Sequence, residues 1–122
     1  MKYYLLFLIV FVHFLSFSQE KYPQGYFRSP VDIPVYLSGS FGELRSNHFH
    51  AGLDIKTQGK EGLPVFVVAD GYVSRIKVQQ YGYGKAIYIP HPNGFTSVYG
   101  HLSKFSDDIE KYVKTVQYKK EN

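Results

Sequence analysis

The chain has 122 residues, with 14 Lys+Arg against 10 Asp+Glu and no cysteine. That length suits one domain, and a formal charge of +4 is far too weak to argue a nucleic-acid partner. Without cysteine, stability cannot come from disulfides.

Residues 1–18 read as a secretory signal peptide. Lys2 is a short basic start, Leu5 to Leu15 is almost entirely apolar, and Ser16 and Ser18 put small residues at −3 and −1 of a cut before Gln19. The apolar run, interrupted by His13, is shorter than the ~20 residues a membrane span needs. With no cysteine at the cut, a lipoprotein anchor has nothing to attach to. The expected location is secreted or periplasmic/cell envelope, with no stable membrane insertion after cleavage. Removing 18 of 122 residues leaves 104 with a formal charge of +3, since Lys2 leaves too. This mild basicity suits an anionic wall or envelope surface. Sixteen aromatics remain, a load typical of a sheet protein that packs Tyr and Phe across strands.

Residues 19–42 predict an extended arm and a first strand. Pro23, Gly25, Pro30 and Pro34 keep the arm irregular, and Val35–Leu37 is strand-like before Gly39 and Gly42 break it. Leu53–Thr57 alternates apolar and polar, which predicts a half-buried strand with Asp54 and Lys56 on one face. Leu63–Ala69 is a short apolar run, expected as a strand buried on both faces, with Pro64 tolerated only at its start. Asp70-Gly71 then predicts a type I′ hairpin turn into a strand over Tyr72–Val78. Tyr81–Gly84 is a glycine-rich loop, Lys85–Ile89 a strand, Pro90–Gly94 a turn, and Phe95–His101 a further strand. The fold class expected is mainly β, an antiparallel meander from Leu63 to His101, followed by one amphipathic helix over 106–122.

That helix announces itself by a change of period. Ile109, Tyr112, Val113 and Val116 form one stripe, and Ser106 can cap its start. Asp107 and Asp108 in the first turn, and Lys119 and Lys120 near the end, complement the helix dipole. Asp107–Lys111 and Glu110–Lys114 are expected as spacing-four ion pairs, worth a few tenths of a kcal/mol each.

The chemistry concentrates in Asn47–Asp54, which places two imidazoles and a carboxylate within eight residues. Neutral imidazole and carboxylate are ordinary zinc ligands. An extended backbone would hold residues 50 and 54 ~13 Å apart, whereas donors on one zinc lie ~3–3.5 Å apart. A shared metal therefore requires His50 on a loop, Asp54 at the head of a strand, and a bend at Ala51-Gly52. Spacing alone favours the plainer reading, Asp54 capping a turn and the histidines as loop polars, because a short His/Asp match is a weak pattern. His48 makes a His-x-His with His50, but reads as a surface or supporting residue. His101 ends a strand, so it can be a third ligand, a general base, an oxyanion donor, or a histidine bonded to a carbonyl. His91, in Pro-His-Pro-Asn-Gly, reads as a solvated turn residue.

Taken together, these stretches resemble a known family. His50-Ala51-Gly52-Leu53-Asp54 is similar to the His-x-Gly-x-Asp signature of the lysostaphin/LytM-type zinc metalloendopeptidases, which cut peptide cross-links in bacterial cell walls. Gly62–Val73, Tyr81–Ile89 and His91–Ser103 resemble the family's Asp-Gly hairpin, glycine-rich loop and "H-x-N-G-x-x-T-x-Y-x-H-L-S" run, in that order. The resemblance covers about residues 43–103, the expected partial metallopeptidase domain being 43–105. It implies that His50 and Asp54 are Zn2+ ligands and that His101 is catalytic, helping to activate the attacking water or stabilise the oxyanion. The implied partner is the peptide cross-link of peptidoglycan; oligomeric state is not implied.

One departure is serious. The family needs a later His-x-His that supplies the third zinc ligand and another catalytic histidine, and no histidine follows His101. Two readings follow: a zinc endopeptidase with part of its domain missing from this chain, or a degenerate, non-catalytic wall-binding or regulatory module that uses the aromatics around Tyr81 and Tyr83. A lipoyl-like carrier domain shares the hairpin pattern, but the signal peptide and the lack of a lysine at a hairpin tip argue against it.

Overall fold

The structure, a computed structural model, describes residues 24–121. The expected signal peptide and the first residues of the arm lie outside that range. The described chain is mainly antiparallel β in two small sheets, with one helix at its C-terminal side. Strand β1 (Leu37–Gly39) pairs with β2 (Asp54–Ile55), with Leu37 opposite Ile55, Gly39 opposite Asp54 and an irregularity between. Strands β3 (Arg75–Val78), β4 (Lys85–Pro90) and β5 (Thr96–Tyr99) form a meander in sequence order.

The register of the meander follows from its turns. Ile76 lies opposite Ile87, and Ile87 opposite Tyr99, so apolar side chains meet across β4. Between β3 and β4, Gln79 N–H donates to the Gly84 carbonyl at 3.2 Å, and Gly82 and Gly84 take positive φ. Between β4 and β5, Gly94 N–H donates to the His91 carbonyl at 3.0 Å and His91 N–H to the Phe95 carbonyl at 2.8 Å, with Gly94 at φ 87°. Central β4 holds Ala86 and Ile89, which with Val31 and Phe105 are the buried apolar side chains of the described chain.

Several expectations are corrected. Leu63–Ala69 joins neither sheet. It runs beside the arm, where Arg28 N–H donates to the Val68 carbonyl and Phe66 N–H to the Pro30 carbonyl, both at 2.8 Å. Its faces are not both covered, since Val65 and Val67 are about half exposed (47% and 49%). The Asp70-Gly71 hairpin is also absent: neither residue has the positive φ that a type I′ turn demands. Instead the segment is drawn against the β4–β5 turn, where the Asp70 carbonyl meets His91 Nδ1 at 2.7 Å.

The third correction concerns His91, which is buried rather than solvated (5% exposed). Its Nδ1 donates to the Asp70 carbonyl, and its Nε2 lies 2.9 Å from Ser97 Oγ. Ser97 Oγ in turn bonds Tyr99 Oη at 3.0 Å, and Tyr99 Oη accepts Val68 N–H at 2.9 Å. This run of four hydrogen bonds fastens residues 68–70 to β5. Burial is affordable here because both ring nitrogens are satisfied.

Helix α1 (Asp107–Glu121) starts after Ser106, whose carbonyl accepts Glu110 N–H at 2.8 Å. Ile109, Val113 and Val116 are half-buried, while Tyr112 stands exposed. Glu110 does not settle on Lys114 as spacing suggested. It bonds Lys85 Nζ on β4 at 2.9 Å and accepts Phe105 N–H at 3.2 Å. These contacts hold its carboxyl below the usual range, Lys85 contributing most, then the Phe105 amide. No helix of the described residues is long and apolar enough to cross a membrane.

Candidate metal centre

The loop from β1 to β2 builds the site by folding back on itself. Arg45 N–H donates to the His48 carbonyl, His50 N–H to the Glu43 carbonyl and Gly42 N–H to the His50 carbonyl, each at 2.8 Å. With a bridge between Leu44 and Phe49, these bonds make a miniature hairpin over residues 42–50. His50 leaves that hairpin, the chain bends through Ala51-Gly52, and Asp54 heads β2. The result is a distance of 3.2 Å between His50 Nε2 and Asp54 Oδ1.

The hydrogen bonding of the ring shows what this gap is suited to hold. His50 Nδ1 lies 3.0 Å from the Ser40 carbonyl. A carbonyl only accepts, so Nδ1 carries the hydrogen and the neutral ring presents a lone pair at Nε2. That lone pair faces Asp54 Oδ1, another acceptor. Two acceptors at such a distance need a cation between them, either a proton or a metal ion. Donors bonded at ~2.0–2.1 Å to one tetrahedral zinc would lie ~3.3 Å apart, which matches the gap. The residues present therefore fit a zinc ion. They would fill two of its four positions, and no group of three His, Cys, Asp or Glu among the described residues is placed to hold a metal.

Sequence reasoning missed the charged residues behind this pair. Arg45 Nη2 donates to Asp54 Oδ2 at 2.7 Å and to Glu43 Oε2 at 3.2 Å. The Asp54 bond does most to raise the guanidinium further above its usual range, and burial opposes it. Arg45 Nη2 also comes within 3.5 Å of His50 Nδ1, but both atoms are donors there, so this is an approach rather than a bond. The available signal was a lone arginine two residues from Glu43 and five from His50.

The other histidines take separate places. His48 is exposed, its Nδ1 held 2.6 Å from Asn47 Oδ1. His101 follows β5 with φ 55°, a sparsely populated conformation that turns the chain sharply. It is fixed by His101 N–H to the Tyr83 carbonyl at 2.8 Å and Leu102 N–H to the Lys85 carbonyl at 3.1 Å. Its exposed ring meets the Tyr83 ring edge-on, at 6.4 Å between centroids. The glycine-rich loop thus positions His101, although no three-donor group joins it to His50 and Asp54.

A small antiparallel β protein with an imidazole–carboxylate donor pair at the mouth of a strand has the makings of a metal-dependent enzyme. The family is shown by sequence: residues 48–118, more than half of the chain, match the peptidase family M23, and the chain belongs to that family. Among curated proteins it is 33% identical over 92 residues to the DD-carboxypeptidase/endopeptidase Mpg of Neisseria meningitidis serogroup B and of Neisseria gonorrhoeae, covering 75% of this chain and 18% of theirs. It is 30% identical over 91 residues to an uncharacterized metalloprotease of Haemophilus influenzae, covering 70% of this chain and 19% of that one. The chain thus spans less than a fifth of the length of these relatives. No solved structure gives a significant match.

Proposed function

We propose that this chain belongs to a zinc metalloendopeptidase that cleaves peptide cross-links of peptidoglycan. The observation that carries the reading is the His50–Asp54 pair: a loop folded so that two donors face one another at 3.2 Å, on a chain of a peptidase family. The names of the Neisseria relatives support a peptidoglycan substrate. The composition of residues 1–18 supports action in the cell envelope or outside the cell.

In this reading His50 offers Nε2, with its tautomer fixed by the Ser40 carbonyl, and Asp54 offers Oδ1. A bound zinc ion supplies Lewis acidity toward the scissile carbonyl and toward water. His101 would hydrogen-bond the oxygen that becomes negative as the amide is attacked, or take the proton that the attacking water gives up. A closed set of protein ligands requires at least one more donor than the described residues contribute, so the chain alone holds zinc weakly. Titrating Zn2+ into the purified chain should shift the imidazole resonances of His50 and leave those of His91 in place. Binding that survives His50→Ala and Asp54→Asn together would end this reading.

A second reading, a non-catalytic wall-binding module, is favoured by the same two-donor count. Retention on purified peptidoglycan that is unaffected by EDTA and by His50→Ala would select it.

A further inference from the structure

We infer that Arg45, seated against Gly39, is a positioning residue of the metal centre: it fixes Asp54 as a single-oxygen ligand and aims the oxygen that remains at His50 Nε2. The inference rests on the metal reading of His50 and Asp54 and assigns a role to residues outside the donor pair.

The argument is one of sides. Asp54 has two oxygens, and they face different groups. Oδ1 lies 3.2 Å from His50 Nε2, and Oδ2 accepts Arg45 Nη2 at 2.7 Å. Arg45 Nη2 also approaches the nitrogen of His50 that is not offered to a metal, Nδ1, at 3.5 Å. The guanidinium therefore lies behind both donors, away from the gap between them. It does not occupy the place a metal would take.

The support is closed from the far side. Gly39 is buried and is paired with Asp54 across the β1–β2 ladder. A Cβ built on Gly39 would fall inside van der Waals contact with both Asp54 Oδ2 and Arg45 Nη2. Only a residue without a side chain lets this ion pair sit against the strand. Glu43 takes a further share of Nη2, and its backbone carbonyl holds His50 N–H at 2.8 Å. One short loop thus fixes the carboxylate through Arg45 and the imidazole through its own backbone.

A cation close to a metal site can act in two opposite ways. As a mere neighbouring charge it repels the metal, so its removal tightens binding. As a support that orients a ligand it strengthens the site, and loss of such a partner weakens metal binding by about 10–100-fold. The position behind the donors predicts the second.

The test is Zn2+ affinity, read by competition with a chromophoric chelator, for the whole chain and three variants whose folding is checked by circular dichroism. Arg45→Met keeps the length of the side chain and removes every donor; Zn2+ affinity should fall about tenfold. Gly39→Ala removes no charge but displaces the pair, and should also weaken binding at least threefold. Arg45→Lys restores a donor and should recover part of the loss. Affinity within threefold of the parent, or tighter, in Arg45→Met overturns the inference, as does a failure of Arg45→Lys to recover any of the loss. If Arg45→Met does not fold, Gly39→Ala decides on the same threefold criterion. His50→Ala is the control for the underlying reading. If it leaves Zn2+ binding unchanged, the metal centre itself is wrong and this inference falls with it; if it abolishes binding while Arg45→Met does not weaken it, only the role of Arg45 is wrong.

Discussion

Replacing His91 with alanine tests whether this buried histidine ties the 68–70 segment to the sheet. The substitution removes an imidazole whose Nδ1 serves the Asp70 carbonyl at 2.7 Å and whose Nε2 meets Ser97 Oγ at 2.9 Å. Ser97 keeps Tyr99 as a partner, so one group, the Asp70 carbonyl, loses its bond. Losing that hydrogen bond at a part-buried carbonyl costs about 0.5–1.5 kcal/mol. The emptied ring volume, with the edge contact to Phe27 at 5.6 Å between centroids, adds about 1–2 kcal/mol. The expected loss is about 2 kcal/mol, a sizeable part of the ~5–15 kcal/mol that holds a domain together. Urea unfolding followed by tyrosine fluorescence reports it directly, since the chain has no tryptophan. His91→Asn separates the two causes. Its amide can reach the position of Nδ1, so about 1 kcal/mol should return. A loss below about 0.5 kcal/mol in His91→Ala, or an asparagine variant no better than alanine, would refute the account.

Other consequences follow from neighbouring contacts. Gly71→Ala would place a Cβ 2.5 Å from the Pro90 carbonyl oxygen and 2.6 Å from Ile89 Cγ2. Neither can yield, so a loss of about 1–3 kcal/mol in urea unfolding is expected. Phe105→Ala empties a buried site just before the start of α1. It should cost about 3–5 kcal/mol and reduce helical circular dichroism at lower urea than in the parent. Glu110, whose carboxyl is held below its usual range by Lys85, contributes stability above the unfolded carboxylate range near pH ~4.3. That contribution is lost as pH falls through the folded value, so Glu110→Gln should flatten the acid limb of the stability profile. An unchanged acid limb would show that Lys85 and Glu110 do not interact in solution.

What could be read from the sequence was local. Strands β3, β4 and β5 follow from alternation bounded by glycine and proline turns, and α1 follows from its 3.6-residue stripe; both periodicities are properties of short segments. The required bend between His50 and Asp54 followed from reach alone, because an extended strand is too long to bring them together. The Leu63–Ala69 run shows the limit of such reasoning. An apolar run reads as a buried strand, but whether it finds a ladder partner is decided elsewhere. Here its backbone bonds go to the arm, Val68 to Arg28 and Phe66 to Pro30, 40 and 36 residues upstream. Asp70-Gly71 fails as a hairpin for the same reason, since a hairpin turn needs two strands to join.

The site divides along the same line. The sequence determined which residue types could serve as donors, and that two of them, His50 and Asp54, lie close enough along the chain to converge. Tertiary structure decided which atoms face each other. The Ser40 carbonyl selects the nitrogen of His50 that stays free, and Arg45 selects the oxygen of Asp54 that stays free. It also moved His91 from the surface to the interior, through bonds to Asp70 and Ser97. Composition and spacing carry no direction in space. Tautomer, carboxylate orientation and burial are set by partners on other segments, and those partners meet only once the chain has folded.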